Sequence, residues 1–441
     1  MRIQDNQLKP RDLYLNRLIA FQDTEPVKVV TGIRRCGKSN LLRLMRKHLL
    51  DTGVKQEQIL SMNFESMEYR NMDAKVFYNH VRERVLPDQR MYLFFDELQR
   101  LDQWEDAVNS FRVDFDCDIY ITGSNAYLLS SEYSTYLSGR YVEIKMYPLS
   151  FQEFIQFHGF EVRDSNALTG ERKKKAYDSN GEPVEWSELF EAYLHYGGMP
   201  GIADVGLIQD RALALLDGIY STVVVRDILE REKRRGQRQI TDPVLLRKII
   251  MFLADNIGND TSLNSIGNTL VSENMLEGRT KEGKPAIQTL SAYVRALLES
   301  YMFYEIKRFD IKGKEELKTL GKYYIADIGL RNYLLGYRDI DLGHMYENIV
   351  YLELLRRGYD VAIGKIGNRE IDFIATKDQE KVYYQITEDM TSEETRRREL
   401  TPLKMIRDNY EKAIIAMNVH STGSEEGIRV IRLIDFLLET V

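Results

Sequence analysis

The stretch Gly32-Ile33-Arg34-Arg35-Cys36-Gly37-Lys38-Ser39 lies between a β-branched run at residues 27–31 and a segment of helical spacing at 40–50, where Leu41, Leu42, Leu44 and Met45 recur. A G-x-x-x-x-G-K-S loop between a strand and a helix is suited to phosphate: the glycines let the backbone wrap closely, and amides and the helix N-terminus face the anion. Lys38 would neutralise β/γ charge, and Ser39 would offer its hydroxyl to Mg²⁺. Arg34, Arg35, Cys36 and Asn40 fall within or beside the same cradle. Cys36 sits where backbone matters more than side chain; the rival reading is a redox-sensing thiol at an electropositive helix start.

Four more strand-like runs follow, at 59–64, 91–95, 118–122 and 141–146, separated by helical stretches. Several are nearly continuous apolar runs, the texture of strands buried on both faces, so a parallel doubly wound α/β sheet is expected. The run at 91–95 ends in Asp96-Glu97. Asp96 would hold Mg²⁺ through water, and Glu97 would orient and polarise the attacking water. The plainer alternative is a pair of carboxylates opening the next helix.

Composition bounds what surrounds this site. A chain of 441 residues is long enough for about three domains. Its 61 basic and 68 acidic side chains give a net charge of −7, which argues against wholesale coating of nucleic acid or anionic membrane. With two cysteines, six histidines and neither CxxC nor HExxH, no disulfide framework or structural zinc is expected. No 18-residue apolar run occurs, so the sequence reads as a cytoplasmic protein without a membrane span.

Beyond the first 158 residues the texture changes. A polar stretch at 160–185 reads as an inserted surface loop or hairpin, and helical texture returns at 186–235, broken at His195-Tyr196-Gly197-Gly198-Met199-Pro200. Helical runs at 245–253 and 289–298 flank a shorter segment at 265–271, and strand-like runs at 303–308 and 323–326 follow. Helices followed by a two-stranded wing is the order of a winged helix-turn-helix. The last hundred residues restart an α/β pattern. The expected division is therefore 1–158, an ATPase core; 159–240, a polar insertion and helical lid; 241–340, the winged helix; and 341–441, a separate α/β domain.

The segments FFDELQRLDQWEDAVNSFR and YITGSNAYLLS, with YLSGRYVEIKMYPLSFQEF, HYGGMP, KYYIADIGLRNYLLG and YENIVYLELLRRGY with REIDFIA, resemble a prokaryotic AAA-type P-loop ATPase family with an uncharacterised C-terminal region. The resemblance covers nearly the whole chain from about residue 10. It implies a sheet ordered 5-1-4-3-2, with Ser124 or Asn125 sensing the γ-phosphate. Arg140 would be a γ-phosphate or intersubunit charge stabiliser, and Gly198 and Pro200 would form a lid signature near adenine. An ordinary helix break is the alternative reading of those last two. The C-terminal part resembles a PD-(D/E)xK, restriction-endonuclease-like fold, with Glu347 and Asp372 in two of its acidic places. The third place reads Gln385-Ile386-Thr387, an amide and a threonine where a glutamate and a lysine belong, so a degenerate site is expected. An ordinary helix carboxylate and strand carboxylate, with no metal, is the other reading of Glu347 and Asp372.

These readings converge on an ATP- and Mg²⁺-dependent ATPase that acts as a switch or remodelling module. The rivals are an ATP-regulated DNA-processing nuclease and a non-hydrolysing, nucleotide-gated scaffold for a protein partner. The basic cluster Arg231, Lys233, Arg234, Arg235 and Arg238 could meet duplex DNA beside the winged helix. A homo-oligomer follows if Arg140 acts between chains.

Overall fold

Strand β1 (Val27–Thr31) is buried at every position, as a strand covered on both faces must be, and the computed structural model places it inside a five-stranded parallel sheet. The structure describes residues 8–124, 139–166, 172–229, 240–272, 285–313, 315–338 and 341–439. The chain divides into two units, one formed by 1–147 with 299–301, the other by 148–298 with 302–441.

In the first unit, α1 (Asp12–Ala20) precedes β1, and α2 (Lys38–Asp51) follows it. Next come β2 (Ile59–Asn63), α3 (Ala74–Arg82), β3 (Met91–Asp96), α4 (Trp104–Asp114), β4 (Cys117–Gly123) and β5 (Tyr141–Lys145). The order is β2-β3-β4-β1-β5, all parallel, which is the expected 5-1-4-3-2 read from the other edge. On one face, Phe77 of α3 meets Phe95 of β3 and Phe111 of α4 edge-on, at 4.9 and 5.1 Å between ring centres. Edge-to-face aromatic packing of this kind fixes the helices against the strand that ends in Asp96.

The second unit opens with α5 (Phe151–Phe157), capped reciprocally by Ser150 and Glu153. The polar insertion forms a three-stranded antiparallel sheet: β6 (Glu161–Asn166), β7 (Arg172–Tyr177) and β8 (Pro183–Val184). Helices α6 (Trp186–Tyr196), α7 (Ile202–Val205) and α8 (Gln209–Thr222) follow, then α9 (Pro243–Asp255), α10 (Leu263–Ser272) and α11 (Ile287–Glu299). Strands β9 (Phe303–Asp310) and β10 (Glu315–Ile325) form an antiparallel hairpin. Then come α12 (Ile328–Leu335), α13 (Leu342–Arg356), β11 (Asp360–Ile366), β12 (Arg369–Lys377), β13 (Glu380–Asp389) and α14 (Glu393–Lys404). The unit ends with β14 (Glu411–Asn418), β15 (Gly423–Glu425), β16 (Ile428–Arg432) and α15 (Leu433–Leu438).

One expectation changes here. The hairpin expected as the two-stranded wing belongs to an eight-stranded sheet ordered β10-β9-β11-β12-β13-β14-β16-β15. Strand β9 pairs in parallel with β11, Ile363 facing Arg308 and Lys365 facing Asp310, so the sheet runs straight across the division expected at residue 340. A hairpin with an unpaired edge gains ladder hydrogen bonds by docking on another strand, and β11 supplies them. Among the described residues, no helix is long and apolar enough to cross a membrane.

Candidate functional site

The loop after β1 is held by conformations that its residue types permit. Gly32 has φ +142, and a Cβ there would lie 2.1 Å from the Met146 carbonyl oxygen, so a side chain is excluded. Gly37 has φ +108 and serves as the N-cap of α2. Lys38 is only 4% exposed, and its ammonium donates to the loop carbonyls of Gly32 (2.9 Å) and Ile33 (3.1 Å). From behind, the guanidinium of buried Arg11 donates to the Cys36 carbonyl (3.0 Å) and to the Tyr147 carbonyl (2.9 Å). The Cys36 thiol is fully enclosed, which removes the redox-sensor reading; its carbonyl is what the loop uses.

Because β4 lies between β1 and β3, residues the sequence reading overlooked come beside the acidic pair. The Thr122 hydroxyl donates to Asp96 and accepts from the Glu97 amide at 3.0 Å. Asn63, at the end of β2, donates to the other Asp96 oxygen at 3.0 Å. Ser39 also hydrogen-bonds Asp96, so the two expected Mg²⁺ contacts are together. Burial pushes the Asp96 carboxyl up, against the hydrogen bonds from Thr122 and Ser39 and the charge of Lys38.

Glu97 behaves oppositely. Burial opposes its ionisation, but Lys38, the Ser124 hydroxyl, Arg34 and Gln99 outweigh burial and hold the carboxyl below its ordinary range. Ser124 donates to one carboxylate oxygen at 2.7 Å and Gln99 to the other at 2.6 Å. With φ +55, Glu97 sits in the left-handed region, a strained conformation for a residue with a side chain and one that recurs at active sites. Arg34 is buried and pairs with Glu65, which Arg100 also approaches at 3.3 Å. Arg35 and Asn40 are exposed on the rim of the loop.

Not every expected residue is brought to this site. Asn125 lies outside the described residues, as does the basic cluster Arg231, Lys233, Arg234, Arg235 and Arg238. Arg140 immediately precedes β5, whose first residue, Tyr141, pairs with Val27 at the start of β1, whereas the phosphate loop leaves the other end. Five strand residues separate the two levels, roughly 16 Å at the usual rise. That corrects the reading of Arg140 as a γ-phosphate contact within its own chain.

Gly198 and Pro200 have defined packing roles within their own unit. In the second unit, the Gly198 amide donates to Asp327 at 2.6 Å and its carbonyl accepts from the Leu149 amide at 2.7 Å. A Cβ on Gly198 would lie 2.4 Å from the Leu149 carbonyl oxygen, and one on Gly197 would lie 2.3 Å from an Asp327 oxygen. These glycines permit close packing of the end of α6 on the start of α12, while the Pro200 carbonyl caps the turn into α7 by accepting from Ala203. Both backbone groups of Gly198 thus have protein partners.

The residues expected at a degenerate nuclease site do come together. Continuing the β12/β13 register from Phe373↔Tyr384 puts Asp372 opposite Gln385, and the Ile386 amide donates to Asp372 at 2.7 Å. Glu347, on α13, accepts from the Tyr324 hydroxyl at 3.1 Å. The sequence reading missed Lys322 of β10, 5% exposed, whose ammonium lies 2.5 Å from Glu370 and 3.9 Å from Glu347. Burial raises Asp372 well above the usual carboxylate range, with the Glu347 charge adding to it.

An AAA domain matches residues 24–155, and a domain of unknown function (DUF8612) matches 187–341. An uncharacterised protein of Haemophilus influenzae is 40% identical over 433 residues, covering 97% of this chain and 98% of the relative. The uncharacterised protein MJ1544 of Methanocaldococcus jannaschii is 29% identical over 403 residues, covering 89% and 82%. A solved structure of the Walker-type ATPase PABY2304 of Pyrococcus abyssi overlaps 74% of this chain and 95% of its own at 16% identity, with a TM-score of 0.46, too loose a likeness to bear on function. With the phosphate loop, the acidic pair and the 5-1-4-3-2 sheet in place, the chain belongs to the same family as the Haemophilus influenzae protein, and its residues 24–155 are an AAA-type P-loop ATPase domain.

Proposed function

We propose that the protein binds ATP with Mg²⁺ and hydrolyses it, using the nucleotide state as a switch for the rest of the chain. The observation that carries this reading is the divided electrostatics of the acidic pair. Asp96 shares hydrogen bonds with Ser39, Thr122 and Asn63, whereas Glu97 is kept ionised by Lys38 and Ser124. The residues fit the cofactor: Gly32 and Gly37 take the positive φ values that shape the loop, and Ser39 and Asp96 offer adjacent oxygens to Mg²⁺. Bound Mg²⁺ would neutralise charge on the phosphate oxygens. Lys38 would exchange its loop carbonyls for the β/γ-phosphates, and Glu97 would orient the attacking water, with Ser124 setting the rotamer of its carboxylate.

Two substitutions test this. Lys38→Ala is expected to lose nucleotide binding, whereas Glu97→Gln should bind ATP as wild type does and lose turnover by on the order of 10²-fold or more. ATP binding without turnover in the wild type, alone or with DNA, would point instead to the nucleotide-gated scaffold.

Arg140 then acts between copies of the chain in this reading. Mixing Arg140→Ala, whose own loop is intact, with Glu97→Gln, whose arginine is intact, should restore turnover that neither variant has alone. Absence of rescue would remove Arg140 from the reaction.

A second reading rests on α11, which exposes Gln288, Ser291 and Arg295 at positions i, i+3 and i+7, one face of a helix. These side chains can donate to base edges and phosphates, as the recognition helix of a winged helix would. Arg295→Glu should weaken duplex DNA binding and flatten its salt dependence; an unchanged salt slope would exclude that face.

A further inference from the structure

One carboxylate beside the phosphate loop serves two cations. Glu65, in the turn after β2, pairs through the same oxygen, Oε1, with the guanidinium of Arg34 in the loop and with that of Arg100, 3.3 Å away in the turn after β3. Arg34 is buried, whereas the Glu65 side chain is 38% exposed. An ion pair whose carboxylate meets water is weak, because solvent screens it. If Arg34 leaves, Glu65 still has Arg100, so no carboxylate is stranded without a counter-charge.

The turn that carries Glu65 is tied to the acidic pair. The Asn63 side chain donates to Asp96 at 3.0 Å and accepts from the Glu65 amide at 2.8 Å, and the Phe64 amide donates to the Asp96 carbonyl at 3.0 Å. A shift of Asp96 is therefore passed to Glu65 through one side chain and one backbone bond. Arg34 also reaches the other acid, since its charge helps hold Glu97 ionised. Its neighbour Arg35 is exposed on the rim, and Arg140 lies at the opposite end of the strands.

We propose that Arg34 is a γ-phosphate ligand the chain supplies to itself, latched by Glu65 before ATP binds and freed for ATP because Arg100 keeps Glu65 paired. The proposal rests on the ATPase reading and adds to it a device that separates ATP from ADP. The guanidinium exchanges an exposed carboxylate for γ-phosphoryl oxygens, which its planar fork meets with two parallel hydrogen bonds. In hydrolysis the water oxygen bonds to the γ-phosphorus as the bond from that phosphorus to the β–γ bridging oxygen breaks. One water proton stays on the inorganic phosphate and the other is released to solvent. Arg34 transfers no proton; it meets the charge on the phosphoryl oxygens. With ADP, which has no γ-phosphate, Arg34 returns to Glu65.

The test is calorimetric titration of the full chain in Mg²⁺ with either ADP or the non-hydrolysable β,γ-imido analogue of ATP, together with steady-state ATP turnover. The ratio of the two affinities reads the latch whether turnover is fast or slow. Arg34→Met should lower the preference for the triphosphate by about tenfold or more, leave ADP affinity as it was and reduce kcat on the order of 10²-fold or more. Arg34→Lys keeps the charge without the fork and should recover only part of both. Glu65→Gln should raise the preference by about two- to fivefold, and Arg100→Met, which leaves Glu65 dependent on Arg34, should lower it by about as much. A pair that merely braces the loop gives the reverse for Glu65→Gln, with triphosphate and ADP affinities falling together. Unshifted thermal midpoints check folding, and Glu65→Gln, at the surface, decides the matter if Arg34→Met does not fold. The proposal is overturned if Arg34→Met keeps the wild-type preference or if Glu65→Gln weakens both nucleotides alike. Lys38→Ala separates the two readings. If wild type binds both nucleotides through Lys38 while the Arg34 and Glu65 variants leave the ratio unchanged, the ATPase reading stands and the latch falls; if wild type binds neither, both fall.

Discussion

Arg11 lies outside the matched AAA segment, yet its guanidinium holds two buried carbonyls, one of them in the phosphate loop. Hydrogen bonds from a charged donor contribute about 1.5–3 kcal/mol each, and leaving the carbonyls unpaired adds to the loss. Arg11→Met is therefore expected to destabilise the protein by about 2–4 kcal/mol in urea melts and to weaken ATP binding as the loop loosens. Glu105 presents a different residue-level effect. It is 4% exposed, one of its oxygens lacks a partner, and burial pushes its carboxyl from 4.5 up to about 7, against a hydrogen bond from its own amide. Between those two values the folded chain keeps a proton that the unfolded chain has released, so this group's contribution is fully present below pH 4.5 and declines as pH rises through 7. Glu105→Gln should flatten that decline and raise stability at pH 8 by about 1–3 kcal/mol, with no gain near pH 4. Urea melts across pH 4–8 would read it; an unchanged slope would show that Glu105 is not the titrating group.

At the scale of elements, the junction of α6 and α12 depends on absent side chains. Asp327 caps α12 through the Leu330 amide at 3.1 Å and takes the Gly198 amide at 2.6 Å, while Gly329 leaves no room for a Cβ beside the Tyr196 carbonyl. Gly198→Ala would force backbone against backbone, which flexible side chains cannot relieve. We expect a loss of about 2 kcal/mol or more, measured as a lower urea midpoint, whereas Gly206→Ala, with open space around its Cβ position, should lose less even at its φ of +78. Equal losses would assign the effect to backbone conformation rather than packing. The sequence announced the break at HYGGMP because Gly and Pro interrupt a helical run. Its partner, the aspartate of YYIADIGL, became visible only when two distant segments were brought together.

At the scale of the molecule, the eight-stranded sheet decides which pieces can stand alone. A fragment of residues 341–441 would lack β9 and β10, baring the β11 edge and removing Lys322 from its carboxylates. Exposed strand edges template association, so this fragment should aggregate or melt without a cooperative transition, in contrast to the full chain. A sharp, reversible melt of the fragment would show that the hairpin is dispensable to the sheet.

Local pattern determined the nucleotide site. The phosphate loop is contiguous with the strand and helix that shape it, and the acidic pair ends its own apolar strand, so both can be read along the chain. The side chains that tune this pair were hidden, because Thr122 and Asn63 reach Asp96 only through the order in which strands pair across the sheet. Arg140 looked like a partner of the same phosphate in a linear reading; parallel register with β1 puts it at the opposite end of the strands. Lys322 carried no signal at all, since its meaning comes from β9 docking on β11, a pairing between segments whose sequences say nothing of each other. Strand texture is local and can be read along the chain, whereas the choice of neighbouring strand is settled by competition among all edges during folding, and only the tertiary structure records the outcome.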